Sequence, residues 1–313
     1  MVFIDRILSF RNGFMQQTRC PICHTPPATE PPPLSIHLCA NCGSLWTFIP
    51  EEIDPNGFYK DEVYAVVDNR GSVVERIIFR EAGRVLQQAA ACLPAGKRRL
   101  LDFGCGKGQF LAKAKSIGWA GLGIETAAER AGFARDRYGV EVLPEAYSGG
   151  KISAGEFDLI CLNHVLEHLP EPLRLLKKLL DANLAANGVV YIEVPRADSL
   201  QTKIAGSNWI HWDIPRHLTH WTEPGLVKEL KRIGYKKIAQ RSFSLHLGVL
   251  GMLQALMSRF GYRKNLIIGL KRRRSPGLMV AVALLLPLAL MAEVFSSLME
   301  KGGITGLYLK RPE

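Results

Sequence analysis

The sequence shows no secretory signal and little cysteine. Asp5, Arg6 and Arg11 interrupt its short apolar N-terminus, and seven cysteines are spread over 313 residues. A secreted disulfide scaffold is therefore not expected, and a reducing cytosol is. Acidic residues are scarce in one region: residues 226 to 313 carry sixteen Lys or Arg against four Asp or Glu, a balance of +12 that leaves −1 of the chain's +11 for everything before. Charge is absent altogether from Ser275 to Ala292, a run that contains Pro287, is ended by Glu293 and lies near the lower limit for crossing a bilayer.

The most informative stretch is Leu101 to Phe110, LDFGCGKGQF, which sets an acid and three alternate glycines in the turn between an apolar strand and a helix. Gly104, Gly106 and Gly108 permit positive φ and let backbone N–H groups approach a ligand without Cβ interference. The dinucleotide spacing G-x-G-x-x-G is missing, because the glycines fall at every second position with Asp102 two residues before the first. About twenty residues on, the strand Gly121 to Ile124 ends in Glu125, where an acid can accept both ribose hydroxyls of a nucleoside. Further strands are predicted at Val140 to Val142, Phe157 to Leu162, Val189 to Val194 and Tyr235 to Ser244. Capping boxes at Ser72 to Glu75 and Thr126 to Glu129 open two helices, and others cover Leu173 to Leu180 and Thr222 to Gly234. This alternation implies an α/β, doubly wound, mainly parallel sheet with its ligand at the carboxyl ends of the strands, where Gly104, Glu125 and Asn163 sit.

The pattern D-x-G-x-G-x-G followed by a distal Glu resembles motif I and the ribose-binding acid of class I S-adenosylmethionine-dependent methyltransferases. The run Phe157 to Pro172, FDLICLNHVLEHLPEP, is similar to the segment after strand 4 of small-molecule methyltransferases such as those of ubiquinone biosynthesis and sugar modification. Asn187 to Pro195 resembles their strand 5, and Trp212 to Leu226 their entry into the next helix, so the resemblance covers most of Val73 to Ser244. It implies a Rossmann-like sheet of seven strands with an antiparallel last strand, for which GITGLYLK at Gly303 to Lys310 is the candidate. It also implies S-adenosylmethionine as cofactor, held by Asp102, Gly104, Cys105, Gly106, Gly108 and Glu125, with Asn163 and His164 carried over by position. The acceptor expected is a small molecule, a sugar or a lipid-linked glycan intermediate.

Cys20-Pro-Ile-Cys23 and Cys39-Ala-Asn-Cys42 are two C-x2-C pairs separated by fifteen residues, inside the spacing of a structural zinc site. Four thiolates suit tetrahedral zinc, and two disulfides are the alternative. A closed four-cysteine site has no open position for chemistry and serves to fold a module too small to bury a core. Sugar C-methyltransferases resembling this chain carry such a module in front, which implies a place beside the acceptor. His164-Val-Leu-Glu167-His168 is a literal H-x-x-E-H, the inverzincin pattern. A zinc protease needs that pentad on one helix, whereas here it follows an apolar strand and is ended by Leu169-Pro170. The bland expectation for Glu167 and His168 is a hydrogen bond to backbone at the strand–helix corner. An oxygen acceptor also needs a base. Trp209 to Trp221 contains His211, Asp213, Arg216, His217 and His220, and the candidate bases are His168, His217 and His220. Against them stands the reading that the tryptophans pack and the histidines bridge loops.

Two apolar stretches, Leu245 to Leu256 and Gly277 to Ala292, flank Lys271-Arg272-Arg273-Arg274, a combination that favours an anionic membrane face. If Gly303 to Lys310 is the last strand, both ends of the insertion lie on one side and a single crossing is excluded; core or dimer-interface helices are the alternative. The expected organisation is a zinc-binding module at 1–60, a methyltransferase core at 61–244, a basic apolar helical insertion at 245–302 and the last strand from 303. The expected location is cytoplasmic, peripheral or monotopic at the inner face of the plasma membrane. A ribosomal RNA methyltransferase with a zinc module is the runner-up. It is disfavoured because the basic charge is not interleaved with aromatics and Asn163-His164-Val165-Leu166 is not N-P-P-[YF], so nucleic acid is not an expected partner. A non-catalytic membrane scaffold is the third reading.

Overall fold

The computed structural model describes residues 15–53, 66, 68–96, 98–147, 149–272 and 275–312; Asp5, Arg6, Arg11, Arg273 and Arg274 lie outside these, as does the boundary expected at residue 60. Four short strands come first, β1 (Met15–Gln17), β2 (Ile36–Leu38), β3 (Leu45–Thr47) and β4 (Ile49–Ile53), followed by α1 (Val73–Ala91). The alternating part runs β5 (Arg99–Phe103), α2 (Gln109–Ser116), β6 (Ala120–Ile124), α3 (Ala128–Tyr138), β7 (Glu141–Leu143), β8 (Phe157–Asn163), α4 (Pro172–Asn183) and β9 (Leu184–Pro195). Then come α5 (Leu200–Ala205), β10 (Thr219–His220), α6 (Glu223–Arg232), β11 (Lys236–Arg241), α7 (Gly248–Arg259), α8 (Leu266–Arg272), α9 (Pro276–Leu298) and β12 (Ile304–Lys310).

The central sheet has seven strands in the order β11-β12-β9-β8-β5-β6-β7. β5, β6, β7, β8 and β9 pair in parallel, and β12 runs antiparallel between β9 and β11. This is the expected doubly wound sheet, with GITGLYLK as its returning strand. Its inner strands are buried on both faces because helices cover both. Alternate residues accordingly enter different cores: Leu101, Phe103, Ile160, Leu162, Val190 and Ile192 face one way. Leu100, Leu159, Cys161, Val189 and Tyr191 face the other.

Local chemistry fixes most helix starts. Ser72 Oγ accepts from Glu75 N, and the Glu75 carboxylate reaches back to Gly71 N at 2.6 Å, a capping box displaced by one residue. Thr222 Oγ1 accepts from Gly225 N and opens α6. The box expected at Thr126 is absent. Helix α3 begins one residue later with Ala127 at its N-cap, and the carboxylate of Glu125 takes the Ala127 N–H at 2.8 Å. Asn187-Gly188 does not break the chain before the fifth core strand; it lies within β9, where a register shift against β8 absorbs the extra residues.

The N-terminal strands join the core by pairing. β2, β3 and β10 form an antiparallel sheet in which Thr219 faces Trp46 and His220 faces Leu45. Helices α7, α8 and α9 share an apolar cluster of Val249, Met252, Leu253, Met257, Leu266 and Ala289.

Candidate functional site

The carboxyl ends of β5, β6 and β8 gather Asp102, Gly104, Cys105, Gly106, Gly108, Glu125, Asn163 and His164. All three alternate glycines adopt positive φ. A Cβ on Gly104 would meet Val165 Cγ2 at 2.5 Å, so the loop passes too close to the β8 corner for any other residue. A Cβ on Gly106 would meet nothing within 4 Å, which leaves the space above the loop open. Beside it, the Glu125 carboxylate accepts the Gly106 N–H at 2.9 Å as well as that of Ala127. A positive-φ loop with an acid at the next strand end fits a nucleoside bearing vicinal ribose hydroxyls.

Asp102 lies below the loop and accepts from Asn163 Nδ2 at 3.4 Å. Burial pushes its carboxyl up to about 7, opposed by the Asn163 hydrogen bond and reinforced by the Glu125 charge. Cys105 is buried and its sulfur packs against Gly123, so it offers the site only its backbone.

At the β8 corner that meets Gly104, two segments zip together. Leu218 N donates to Glu167 O at 2.8 Å, and His168 Nδ1 lies 3.0 Å from Arg216 O. His217 Nδ1 lies 2.8 Å from His211 O. A carbonyl only accepts, so both Nδ1 atoms carry a proton. The two rings meet edge to face at 4.6 Å. Asp213 accepts a forked bond from Arg216 Nε at 3.0 Å and stands 3.7 Å from His217 Nε2. Burial, then the neighbouring His217, pull His168 down to about 4, and burial pulls His211 and His220 to about 3. These three rings are neutral near pH 7.

His164 has the opposite character. It takes a left-handed backbone and sits between Glu167, 3.4 Å from Nδ1, and Glu193, 3.3 Å from Nε2. Burial disfavours its charge, but the two carboxylates outweigh that and raise it to about 9. His220 is held by the cysteine module. Thr47 Oγ1 donates to His217 O at 2.6 Å and is 2.9 Å from His220 Nε2, which must therefore donate to it.

The bland expectation at the corner is half met. His168 does bond backbone, whereas the Glu167 carboxylate, fully buried, accepts no hydrogen bond among the described residues. Trp209 and Trp221 are buried packing residues. Sequence reasoning missed Thr47, Glu81, Glu193 and Arg241. Arg241 pairs with both Glu81 and Glu193, and Tyr191 also bonds Glu193. Glu193 alone carried a signal, as a single acid inside the apolar strand YIEVP.

Cys20, Cys23, Cys39 and Cys42 converge with their sulfurs all within 4.8 Å, and none is in a disulfide. The closest pairs are Cys20 with Cys42 at 3.6 Å and Cys23 with Cys39 at 3.5 Å. Tetrahedral zinc at about 2.3 Å from each sulfur places sulfurs about 3.8 Å apart. The set fits that ion, and the two-disulfide alternative is not what the chain adopts.

Residues 74–240 match the family described as "Methyltransferase domain". No curated protein matches the chain. Among solved structures, the plantazolicin methyltransferase BpumL in complex with SAH is similar at 14% identity, covering 82% of this chain and 93% of that one with a TM-score of 0.51. The same methyltransferase with a triazolic desmethylPZN analog and SAH aligns at 15% identity, 82% and 94% coverage and a TM-score of 0.50. A SAM dependent methyltransferase from Archaeoglobus fulgidus aligns at 18% identity over 78% of this chain and 96% of that one, with a TM-score of 0.45. At such identities the likeness is one of fold.

Proposed function

The chain belongs to the methyltransferase-domain family, and from that premise we propose that it delivers a methyl group to a sugar or lipid-linked glycan intermediate at the cytosolic face of a membrane. It is a SAM-dependent methyltransferase; the acceptor and the membrane are our reading. The observation that carries it is the open Gly106 cradle with Glu125, beside which the β8 corner meets Gly104 through Val165 and pairs with the histidine segment that the cysteine module braces through Thr47. When bound, S-adenosylmethionine supplies an electrophilic methyl group on sulfur. Glu125 and the loop amides hold its nucleoside, while the histidine segment orients the acceptor and excludes water. Orientation of this kind can contribute ~7–11 kcal/mol. A hydroxyl acceptor must also lose a proton, and His168 and His217 are the groups we assign to receive or relay it. His220, tied to Thr47, positions the segment. Structural zinc in the four-cysteine site would fix that brace in place.

The membrane reading rests on α9. It is 23 residues long, its most apolar window has a mean hydropathy of 2.5, and only 11% of that window is buried. Leu284, Met291, Phe295 and Leu298 form one exposed stripe at helical spacing. Both neighbours of the insertion lie in one sheet, with Arg241 of β11 opposite Gly306 of β12, which argues against a single crossing. Helix α7, 12 residues long, reaches only about 18 Å and is too short to pair with α9 across about 30 Å of hydrocarbon. An insertion lying in the interface satisfies these constraints, and the basic stretch of its sequence suits anionic headgroups. Comparing polar and lipid-linked glycan extracts of cells with and without the gene by mass spectrometry tests the acceptor. A species lighter by one methylene in the deletion strain is expected, and an unchanged glycan profile would count against the proposal.

A further inference from the structure

We infer that the groove between the end of α7 and the start of α9 is a lipid site, which takes the hydrocarbon chain of a single anionic lipid and sets its phosphate among basic residues of the turn between α7 and α8. The groove has a volume of about 640 Å³ and is lined chiefly by Met257, Phe260, Tyr262, Leu278, Ala281 and Leu285. Sites of about 300–1,000 Å³ enclose small ligands, and one with this lining selects for apolar shape. Its polar side chains are Tyr262 and Ser275, and the Ser275 hydroxyl is already used, accepting the Leu278 N–H at the start of α9. Nothing inside it would offset the desolvation of a sugar, a nucleotide or a peptide backbone.

Local chemistry builds the groove. Helix α7 ends in a Schellman turn: Tyr262 N donates to Met257 O at 3.2 Å, Gly261 N donates to Ser258 O at 3.1 Å, and Gly261 takes a positive φ. That turn brings Phe260 and Tyr262 to the groove. Gly269 of α8 makes room for the Tyr262 hydroxyl, which a Cβ there would meet at 2.7 Å. Phe260 is 80% exposed, and Leu284 lines the groove while belonging to the exposed stripe of α9, so groove and stripe are one continuous apolar face. Charge then selects the headgroup. Between Ser242 and Ala292 the sequence has seven Lys or Arg and no Asp or Glu. Three of them, Arg259, Arg263 and Lys264, stand within two residues of Phe260 or Tyr262, are exposed, and have no acidic partner among the described residues. A phosphate-bearing lipid complements them, whereas a second copy of this chain would bring like charge to the same edge. The inference deepens the membrane reading by naming the ligand. Its test needs neither a bilayer nor a glycan, so the site and that reading can fail separately.

Calorimetry of the full chain with dodecyl phosphate, kept below its micelle concentration, tests the site. One saturable equivalent is expected. Octyl phosphate should bind about a hundredfold more weakly, since each buried methylene is worth about fourfold. Dodecyl maltoside, with the same chain and no charge, should bind at least roughly tenfold more weakly than the phosphate. Ala281→Phe, which fills the groove, should weaken both dodecyl ligands by roughly tenfold or more while S-adenosylmethionine affinity stays at the wild-type value. Arg263→Glu combined with Lys264→Glu, at exposed positions, should weaken dodecyl phosphate alone, and it decides the matter if Ala281→Phe fails to fold. Uptake of many equivalents without saturation, or unchanged dodecyl phosphate binding in Ala281→Phe or in the double variant, would overturn the inference.

Discussion

Asp102 and Glu125 are two carboxylates at adjacent strand ends, and their surroundings give them different work. Glu125 is met by two backbone N–H groups and can turn an oxygen toward a ribose. Asp102 is buried with one long hydrogen bond, which moves its pKa from the ordinary 3.8 to about 7. In the unfolded chain this proton leaves near 3.8 and in the folded chain near 7, so between these values the unfolded state binds fewer protons. Stability therefore falls as pH rises through that window and is level above it. The displacement corresponds to at most about 4 kcal/mol, at about 1.4 kcal/mol per pKa unit. Asp102→Asn should remove this loss: urea denaturation at pH 8 should show the variant more stable than wild type by about 2–4 kcal/mol, with the gap closing toward pH 4. A gap independent of pH would refute the assignment. Glu125→Ala should weaken S-adenosylmethionine binding by at least roughly tenfold in calorimetry, because a charged acceptor to two hydroxyls contributes about 1.5–3 kcal/mol. Glu125→Gln, which keeps one carbonyl acceptor, should fall between the two.

Between elements, the decisive joint is β3 against β10. Thr47 ties the cysteine module to the histidine segment by two hydrogen bonds, one to His217 O and one with His220 Nε2, both buried. Thr47→Val keeps the shape and the β-branched preference of a strand while leaving both partners unpaired. The expected cost is about 2–4 kcal/mol in chemical denaturation, from two buried polar groups at about 1–2 kcal/mol each. Cofactor affinity, set at β5 and β6, should be unchanged while turnover falls. If turnover is unaffected, the module does not brace the histidine segment. This joint was not legible in the sequence, because Thr47 lies about 170 residues from its partners and no periodicity marks it. The glycine loop, Glu125, the paired cysteines and the seven strands were legible, since each is a local pattern with a local physical cause. Where the sequence reading failed locally, at Thr126, a tertiary demand had taken over: Glu125 serves the following helix and the loop at once, and the threonine cap is not needed. The network of Glu81, Glu193 and Arg241 was hidden for the same reason as Thr47, because three distant elements meet only after folding.

For the whole molecule, the question is what covers the exposed stripe of α9. Leu284 is 73% exposed, Phe295 61% and Leu298 78%, on a helix about 35 Å long whose other face packs on α7. Residues 226–313, which include it, carry a balance of +12, although the rest of the chain is nearly neutral. Full burial of a large apolar side chain contributes about 1.5–3 kcal/mol, and each basic residue near an anionic surface about 1 kcal/mol. Three such side chains and a few cations therefore suffice for firm attachment to a membrane. A dimer interface would use the apolar stripe equally well but would gain nothing from clustered like charge, which repels a second copy of itself. Co-sedimentation with vesicles containing anionic lipid should accordingly capture the wild type at low salt and release part of it as ionic strength rises. The triple variant Leu284→Glu, Phe295→Glu, Leu298→Glu should bind at least roughly a hundredfold more weakly, while its cofactor affinity stays at the wild-type value because the sheet end is untouched. If the variant instead keeps its vesicle binding and changes only from dimer to monomer in analytical ultracentrifugation, the stripe is a protein interface and the membrane assignment fails.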